Sequence, residues 1–326
     1  MRRFPVICGP TASGKSSLAV EIATRLRQRH AIEAEVLAAD AFQVYRGMDI
    51  GTAKPALAER RGVPHRLIDL VEPVGRFTVD QWLERAEATV GELRGRQPPA
   101  CPIVVGGTHL YVKAFMEGLF DGPGADAALR DELAAMDPAA RRAELERVDP
   151  AAAARIHPAD LRRTIRALEV FRLTGRPISE HQRQWDAAGP RQDALLVALH
   201  LPVEALNRRI NARVRDMMNA GLLEEVQALH AGGRFGPQAR EALGYKQLIE
   251  HLEGRLPLED AVERIKIETR RFAKNQRTWL RRLSILPGAM SVNVEESSPQ
   301  TTAELIVARL LDAARPAPGG DAGDCA

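Results

Sequence analysis

The stretch VICGPTASGKSSLA, residues 6–19, constrains the fold more than any other part of the chain. An apolar strand, FPVIC (4–8), runs into a loop in which Gly9, Gly14, Lys15 and Ser16 satisfy G-x-x-x-x-G-K-[ST]. A helix follows to about Arg29, with Leu18, Ile22 and Leu26 on one face. Glycines let the backbone curl until successive N–H groups converge on one anion, and the helix N-terminus adds positive potential. Gly9, Pro10, Thr11, Ala12, Ser13, Gly14, Lys15 and Ser16 are therefore the candidate diphosphate-binding residues. Lys15 supplies a mobile cation, and the Ser16 hydroxyl is the candidate ligand for Mg²⁺. The pattern implies a bound di- or triphosphate without saying which. A kinase would pass the phosphate on; another enzyme would let it leave.

The rest of the chain continues the alternation. EVLAA (35–39) and PIVVGG (102–107) read as further strands, and Thr78 with Gln81 forms a capping box for a helix running to about Arg94. This predicts an α/β fold, a P-loop NTPase-like parallel sheet flanked by helices. After Gly118 the texture becomes helical and rich in alanine and arginine. Asp137-Pro138 and Asp149-Pro150 look like N-caps followed by proline at the first helical position. Leu161, Ile165, Leu168 and Phe171 share a face of a helix that stops at Gly175. Strand character returns at DALLVALHL (193–201), followed by helices, a short strand near Met290–Val294 and a closing helix from about Thr301. The expected organisation is a core of 1–118 and 193–315 with C-terminal basic helices, an all-helical insertion at 119–192, and a disordered tail at 316–326.

Charge and cysteine usage narrow the class. A net charge of +3 is too small to imply a polyanion partner by itself, so a basic surface has to be local. Such a surface exists: Lys266, Arg270, Lys274, Arg277 and Arg281 form one stripe of a helix, with Ile265, Phe272, Trp279 and Leu283 roughly opposite. Arg270–Arg282 holds six basic residues and no acidic one, which favours a polyanion. Three widely spaced cysteines without a C-x-x-C pair support neither a disulfide framework nor a zinc finger, and point to a reduced, cytoplasmic protein. The apolar run after Met-Arg-Arg is too short for a signal sequence, and no run of 18 apolar residues exists to span a membrane.

The second motif is DAFQVYRGMDIGTAKP (40–55), which begins where the second strand ends. In open α/β sheets that edge is where ligands sit. By position alone Asp40 is a Mg²⁺ ligand, a cap, or a base facing the phosphate loop. The polar, glycine-bearing loop behind it suits a binding surface better than a core.

Taken together, GPTASGKS, this second motif, PHRLID (64–69), VGGTHLY (105–111), RIHPADLRRTIRALEVFRLTG (155–175), LGYKQ (243–247) and TRRFAKNQRTWLRR (269–282) resemble the tRNA dimethylallyltransferase family. The resemblance covers nearly the whole chain to about residue 285. It implies transfer of a dimethylallyl group from its diphosphate to N6 of adenosine 37 in tRNAs reading codons that begin with U. The implied partners are tRNA and dimethylallyl diphosphate, with Mg²⁺ and no membrane, and a monomer is expected.

The chemistry assigns roles. An exocyclic amine is a weak nucleophile, so transfer needs an ionising allylic diphosphate and a group to take the amine proton. Asp40 is the candidate base. Lys15 and the loop amides would absorb charge on the departing diphosphate. Thr108 is placed to donate a hydroxyl or amide to the bridging oxygen, or to cap the next helix. Arg209 and Arg213, four apart on a helix, are candidate lid arginines. By the family pattern, Asp40, Ala41, Phe42 and Gln43 face tRNA, with Thr108, Arg130, the run Arg162, Arg163, Thr164, Ile165 and Arg166, and the run Arg240, Glu241, Ala242, Leu243, Gly244, Tyr245 and Lys246. The basic helix adds Arg270, Lys274, Arg277 and Arg281. Ala41, Arg66, His109 and Asn275 depart from the residues usual in the family. Two alternatives share the phosphate loop: a kinase of a nucleoside or small metabolite, and an isopentenyltransferase acting on free AMP or ADP.

Overall fold

A computed structural model describes residues 3–119, 122–182 and 189–312. The 316–326 tail lies outside the described residues. The chain divides into two compact units, residues 1–116 with 191–326, and residues 117–190.

In the larger unit, β1 (Phe4–Cys8), β2 (Ala34–Ala38), β3 (His65–Arg66), β4 (Cys101–Gly106), β5 (Ala194–His200) and β6 (Met290–Asn293) form one sheet in the order β3-β2-β4-β1-β5-β6. Every pairing is parallel. β1, β2 and β4 are buried along their whole length, as strands covered on both faces must be. The sequence-predicted strands hold to within a residue or two; β3, two residues long, has no pattern to find.

Helices connect the strands: α1 (Lys15–His30), the single turn α2 (Leu57–Arg60), α3 (Val79–Gly95) and α4 (His109–Glu117). Thr78 and Gln81 close the expected capping box at α3. Trp82 of α3 is buried, donates to Ala38 O at 2.8 Å and stacks on Tyr111, which ties α3 to the end of β2 and to α4. Cys8 and Cys101 are buried free thiols.

The smaller unit is helical: α5 (Ala127–Ala135), α6 (Pro138–Val148), α7 (Pro150–Arg155), α8 (Leu161–Thr174) and α9 (Ile178–Gln182). Asp137 and Asp149 cap α6 and α7, each with proline at the first position, and Gly175 ends α8 in a left-handed conformation. Its core gathers Leu133, Leu145, Val148, Leu168 and Val170. At the centre Glu169, fully buried, takes two hydrogen bonds from Arg130, one from Arg166 and one from Asp126 N. A buried carboxylate is tolerable only with such pairing.

After β5 come α10 (Val203–Asn219), α11 (Leu222–Ala231), α12 (Tyr245–Leu252), the 26-residue α13 (Leu258–Leu283) and, after β6, α14 (Pro299–Asp312), which packs on α1. The buried face of α13 keeps Ile265 and Leu283 of the expected apolar side but is turned away from its two aromatics. Ala261, Ile265, Ala273, Gln276, Leu280 and Leu283 are buried, whereas Phe272 is exposed and Trp279 sits at the edge under Arg282. At about 100° per residue, the buried Gln276, Leu280 and Leu283 lie about 20°, 60° and 0° from Ile265, whereas Phe272 and Trp279 lie about 20° and 40° to the other side, toward one margin of the buried face. The polar Gln276 is what hid this face from a hydrophobicity pattern.

The sheet's carboxyl edge is crowded where β4 ends. A Cβ on Gly106 would lie 2.0 Å from Ala39 O, so the chain beyond β2 and the chain beyond β4 touch through backbone. Gly106→Ala is expected to cost about 3 kcal/mol in urea unfolding. Gly91→Ala, on α3 with nothing within 4 Å, is expected to be neutral or to gain about 0.5–1 kcal/mol.

Candidate active site

The phosphate loop begins as β1 ends. Gly9 is needed because a Cβ there would come within 3.0 Å of Leu199 and of Ser13 Oγ. Gly14 adopts φ +86°, which turns the chain into α1. The first helical hydrogen bond runs from Leu18 N to Gly14 O, so the amides of Lys15, Ser16 and Ser17 have no acceptor inside the helix. Ser13 Oγ is buried without a hydrogen-bond partner, a second donor aimed at nothing within the loop.

These groups open on a cavity of about 560 Å³. Gly14, Lys15, Ser16 and Ser17 form one wall, Ile50, Ala53, Lys54 and Pro55 in the second motif another, and Arg213 with Asp216 and Met217 on α10 a third. Arg213 donates to Thr11 Oγ1 at 3.3 Å. Arg209, a turn earlier, is exposed and does not line the cavity, so of the two lid arginines Arg213 alone reaches it. Lys54, another cation of that wall, is committed elsewhere: its Nζ bonds to Asp49, Asp69 and Tyr45 O.

Lys15 joins the cavity to the acid. Its Nζ rests on Pro10 O at 2.7 Å. Burial and the nearby Arg213 charge lower its pKa to about 8, against a raising pull from Asp40. Asp40 shifts upward because it is desolvated, opposed by the Phe42 and Gln43 amides and by the Lys15 and Arg213 charges. Asp40 Oδ1 accepts from Phe42 N at 2.9 Å and Gln43 N at 3.3 Å. The cap role and the acid role therefore coexist in one carboxylate.

Of the roles expected for Thr108, only donation by its hydroxyl stays open. Its amide is spent on Ala39 O, and its hydroxyl oxygen accepts from Ala41 N at 3.0 Å rather than capping α4. The hydroxyl hydrogen is left to be donated outward. Beside it, His109 is buried; burial and the Lys15 charge lower its pKa to about 4, so the imidazole is neutral at ordinary pH.

Among the described residues no group of three or more His, Cys, Asp or Glu side chains is arranged to hold a metal. The exposed Ser16 hydroxyl, at the helix N-terminus and in a cavity that Asp216 also lines, suits a Mg²⁺ ion that keeps most of its water and takes its remaining oxygens from phosphate.

The expected RNA-facing residues separate into groups. Phe42, Gln43, Ala41 and Thr108 gather around Asp40, with Gln43 Nε2 donating to Thr52 O and Ala53 O. In the smaller unit Arg162 and Arg163 are exposed, but Thr164 is buried, Ile165 packs on the core, and Arg130 and Arg166 brace Glu169. In the 240–246 run, Arg240 pairs with Glu253, Lys246 pairs with Glu241, and Leu243 is half-buried. Ala242, Gly244 and Tyr245 are buried, so these three shape the site from below instead of presenting side chains to RNA. On α13, Lys274 and Arg281 are exposed and Arg277 is half-buried, whereas Arg270 is tied to Asn211 and Glu263.

Two supports escaped the sequence. Glu225 accepts from the amides of Asp49, Ile50 and Gly51 and from Tyr245 OH, pinning the second-motif loop that walls the cavity. Gln276 accepts from Thr11 N and donates to Gly107 O. Asp49 and Thr52 on either side of Ile50-Gly51 mark a turn, but nothing local names the carboxylate that its amides meet. One of the family departures has a local partner: Arg66 pairs with Glu35, which Arg96 also holds.

The sequence model of the IPP transferase family matches residues 43–283. The chain belongs to the IPP transferase family. The tRNA dimethylallyltransferase of Pelotomaculum thermopropionicum is 47% identical over 283 residues, covering 85% of this chain and 87% of that protein. The full-length tRNA isopentenylpyrophosphate transferase of Bacillus halodurans is 34% identical with a TM-score of 0.68, covering 96% of this chain and 98% of that one. A eukaryotic dimethylallyltransferase described as acting on tRNA is 27% identical with a TM-score of 0.80, covering 96% of this chain and 80% of that one. The family model starts at Gln43, so the phosphate loop and Asp40 rest on the geometry above and not on that match.

The Lys15 shift has a consequence that pH can read. A proton on Lys15 is held below about pH 8 and lost above it, and an anion binds the protonated form. Affinity for inorganic pyrophosphate is expected to fall by about tenfold between pH 7 and 9 relative to Lys15→Arg, whose charge is permanent. Isothermal titration of the two proteins across that range checks it; parallel profiles would remove Lys15 from the anion site.

Proposed function

We propose that this protein transfers the dimethylallyl group of dimethylallyl diphosphate to N6 of adenosine 37 in tRNAs that read codons beginning with U, releasing diphosphate. The supporting observation is the placement of one anion site and one acid around a shared cation. Lys15 lines the phosphate cavity and is electrostatically coupled to Asp40. The phosphate bound there leaves, and the acid beside it collects the proton that the new bond displaces.

The steps follow from these groups. The diphosphate docks on the Lys15–Ser17 amides, with Lys15 and Arg213 beside it. As the carbon–oxygen bond of the donor breaks, its electron pair passes to the diphosphate, and these donors stabilise the growing charge. The Thr108 hydroxyl hydrogen is the free donor for the bridging oxygen. Mg²⁺ held by Ser16 would neutralise further phosphate charge. The amine of an everted adenine attacks the allylic carbon, and its proton goes to Asp40. Oδ1 is fixed by two backbone amides, which leaves Oδ2 to receive that proton. Burial, which raises the Asp40 pKa, makes it a better base than an exposed aspartate.

An everted base needs the RNA backbone gripped by cations. Lys274, Arg277 and Arg281 on α13, and Arg162 and Arg163 on α8, are cations suited to phosphates. Among the described residues no helix is long and apolar enough to cross a membrane.

Asp40→Asn keeps the acceptor that caps the Phe42–Gln43 turn and removes the base. It is expected to lower transfer of label from dimethylallyl diphosphate to unmodified tRNA by about a hundredfold or more. Binding of the tRNA should stay within about twofold, read by filter retention. Equal loss of both would show that Asp40 grips RNA and takes no proton.

A further inference from the structure

We propose that Gln276 is a positioning residue for the transfer reaction, its carboxamide setting the spacing between the phosphate loop and the Gly107–Thr108 turn from the inner face of the basic helix. The proposal deepens the prenyl-transfer reading and rests on it for the identity of the reaction, but not for the anion site.

Gln276 Oε1 accepts from Thr11 N at 2.7 Å, and Nε2 donates to Gly107 O at 2.8 Å. The side chain is buried, 3% exposed. Thr11 belongs to the loop that follows β1, and Gly107 to the turn that follows β4, the strand beside it. One amide therefore spans the two loops on which the donor diphosphate and Thr108 depend. The space is built for it: a Cβ on Gly107 would lie 2.6 Å from Nε2. Thr11 is also held from a second side, where Arg213 reaches Thr11 Oγ1.

The chemistry of the group is specific. The site asks one side chain to accept from an N–H and donate to a C=O at the same reach, which an amide does and a carboxylate does not. Leucine of similar length would leave both backbone groups buried and unpaired. The bond also commits the Thr11 amide, so an anion in the loop is read by the amides at the α1 N-terminus. Gln276 stands between Lys274 and Arg277 in sequence, about 160° round α13 from the exposed Lys274 and about 100° from the half-buried Arg277. The helix that would bear RNA phosphates thus carries, on its inner face, the tie that sets the donor loops. A purely structural amide would affect folding alone; a positioning amide affects the anion and the reaction in a folded protein.

The test uses the full chain as wild type, Gln276→Leu and Gln276→Glu, each checked by thermal melting. Three quantities are read: affinity for inorganic pyrophosphate with Mg²⁺, kcat and KM for dimethylallyl diphosphate, and tRNA affinity. Gln276→Leu is expected to weaken pyrophosphate and to lower kcat by about tenfold each, with tRNA affinity within about twofold. Gln276→Glu is expected to show a deficit at pH 8 that shrinks as the pH falls toward about 5.5, because a protonated carboxyl accepts and donates as the amide does. Wild-type pyrophosphate affinity and kcat in both folded variants would overturn the proposal, as would a Gln276→Glu deficit unchanged by pH. If Gln276→Leu does not fold, the Gln276→Glu pH series decides alone. If the wild type binds pyrophosphate but transfers no prenyl group, the activity reading fails, and the pyrophosphate series still decides the role of Gln276.

Discussion

Three backbone amides at the start of one helix have no acceptor inside it, and the surrounding structure is arranged around that fact. An exposed helix N-terminus would satisfy Lys15 N, Ser16 N and Ser17 N with water. Here they face a walled cavity with a lysine and an arginine beside them, which makes the place favourable for a multiply charged anion. The cost shows in Lys15, whose proton is held less tightly than in water. A cation placed beside another cation and partly desolvated is a poor choice for stability alone. It becomes sensible when an anion arrives.

The acid is built to a matching logic. Asp40 is kept in place by backbone amides that a turn supplies and is desolvated enough to hold a proton more readily than a surface aspartate. Its distance from the phosphate loop depends on backbone contact between Gly106 and Ala39 and on the Thr108–Ala41 hydrogen bond. The three loops at the carboxyl edge of β1, β2 and β4 are thus held to each other by short polar contacts that leave no room for side chains at Gly106 and Gly107. Glu225 does the same for the outer wall of the cavity, trading one carboxylate for three otherwise idle amides.

What the sequence disclosed and what it hid divide along physical lines. β1, β2, β4 and β5 were legible because a strand buried on both faces reads as an unbroken apolar run. Asp137, Asp149, Thr78 and Gly175 were legible because caps are local chemistry. The phosphate loop and Asp40 could be named because glycine spacing and strand ends are also local. Gln276 and Glu225 could not, since each works through partners far away in the chain, and a polar residue on a buried helix face looks like a solvated one. The same blindness misassigned Tyr245, whose hydroxyl is turned inward to Glu225, and Phe272, which is exposed although it falls near the apolar side of α13. Arg130 and Arg166 show the reverse case: arginines that look like an RNA surface brace a buried glutamate.

In the proposed reaction the anion in the glycine loop is a leaving group with a proton acceptor beside it. A crystal structure with an unreactive thiolo analogue of dimethylallyl diphosphate and an anticodon stem-loop tests this most directly. Diphosphate oxygens are expected on the Lys15–Ser17 amides, the allylic carbon turned toward Asp40 and Thr108, and the adenine amine within hydrogen-bond reach of Asp40 Oδ2. A diphosphate bound elsewhere, or an amine with no contact to Asp40, would contradict it.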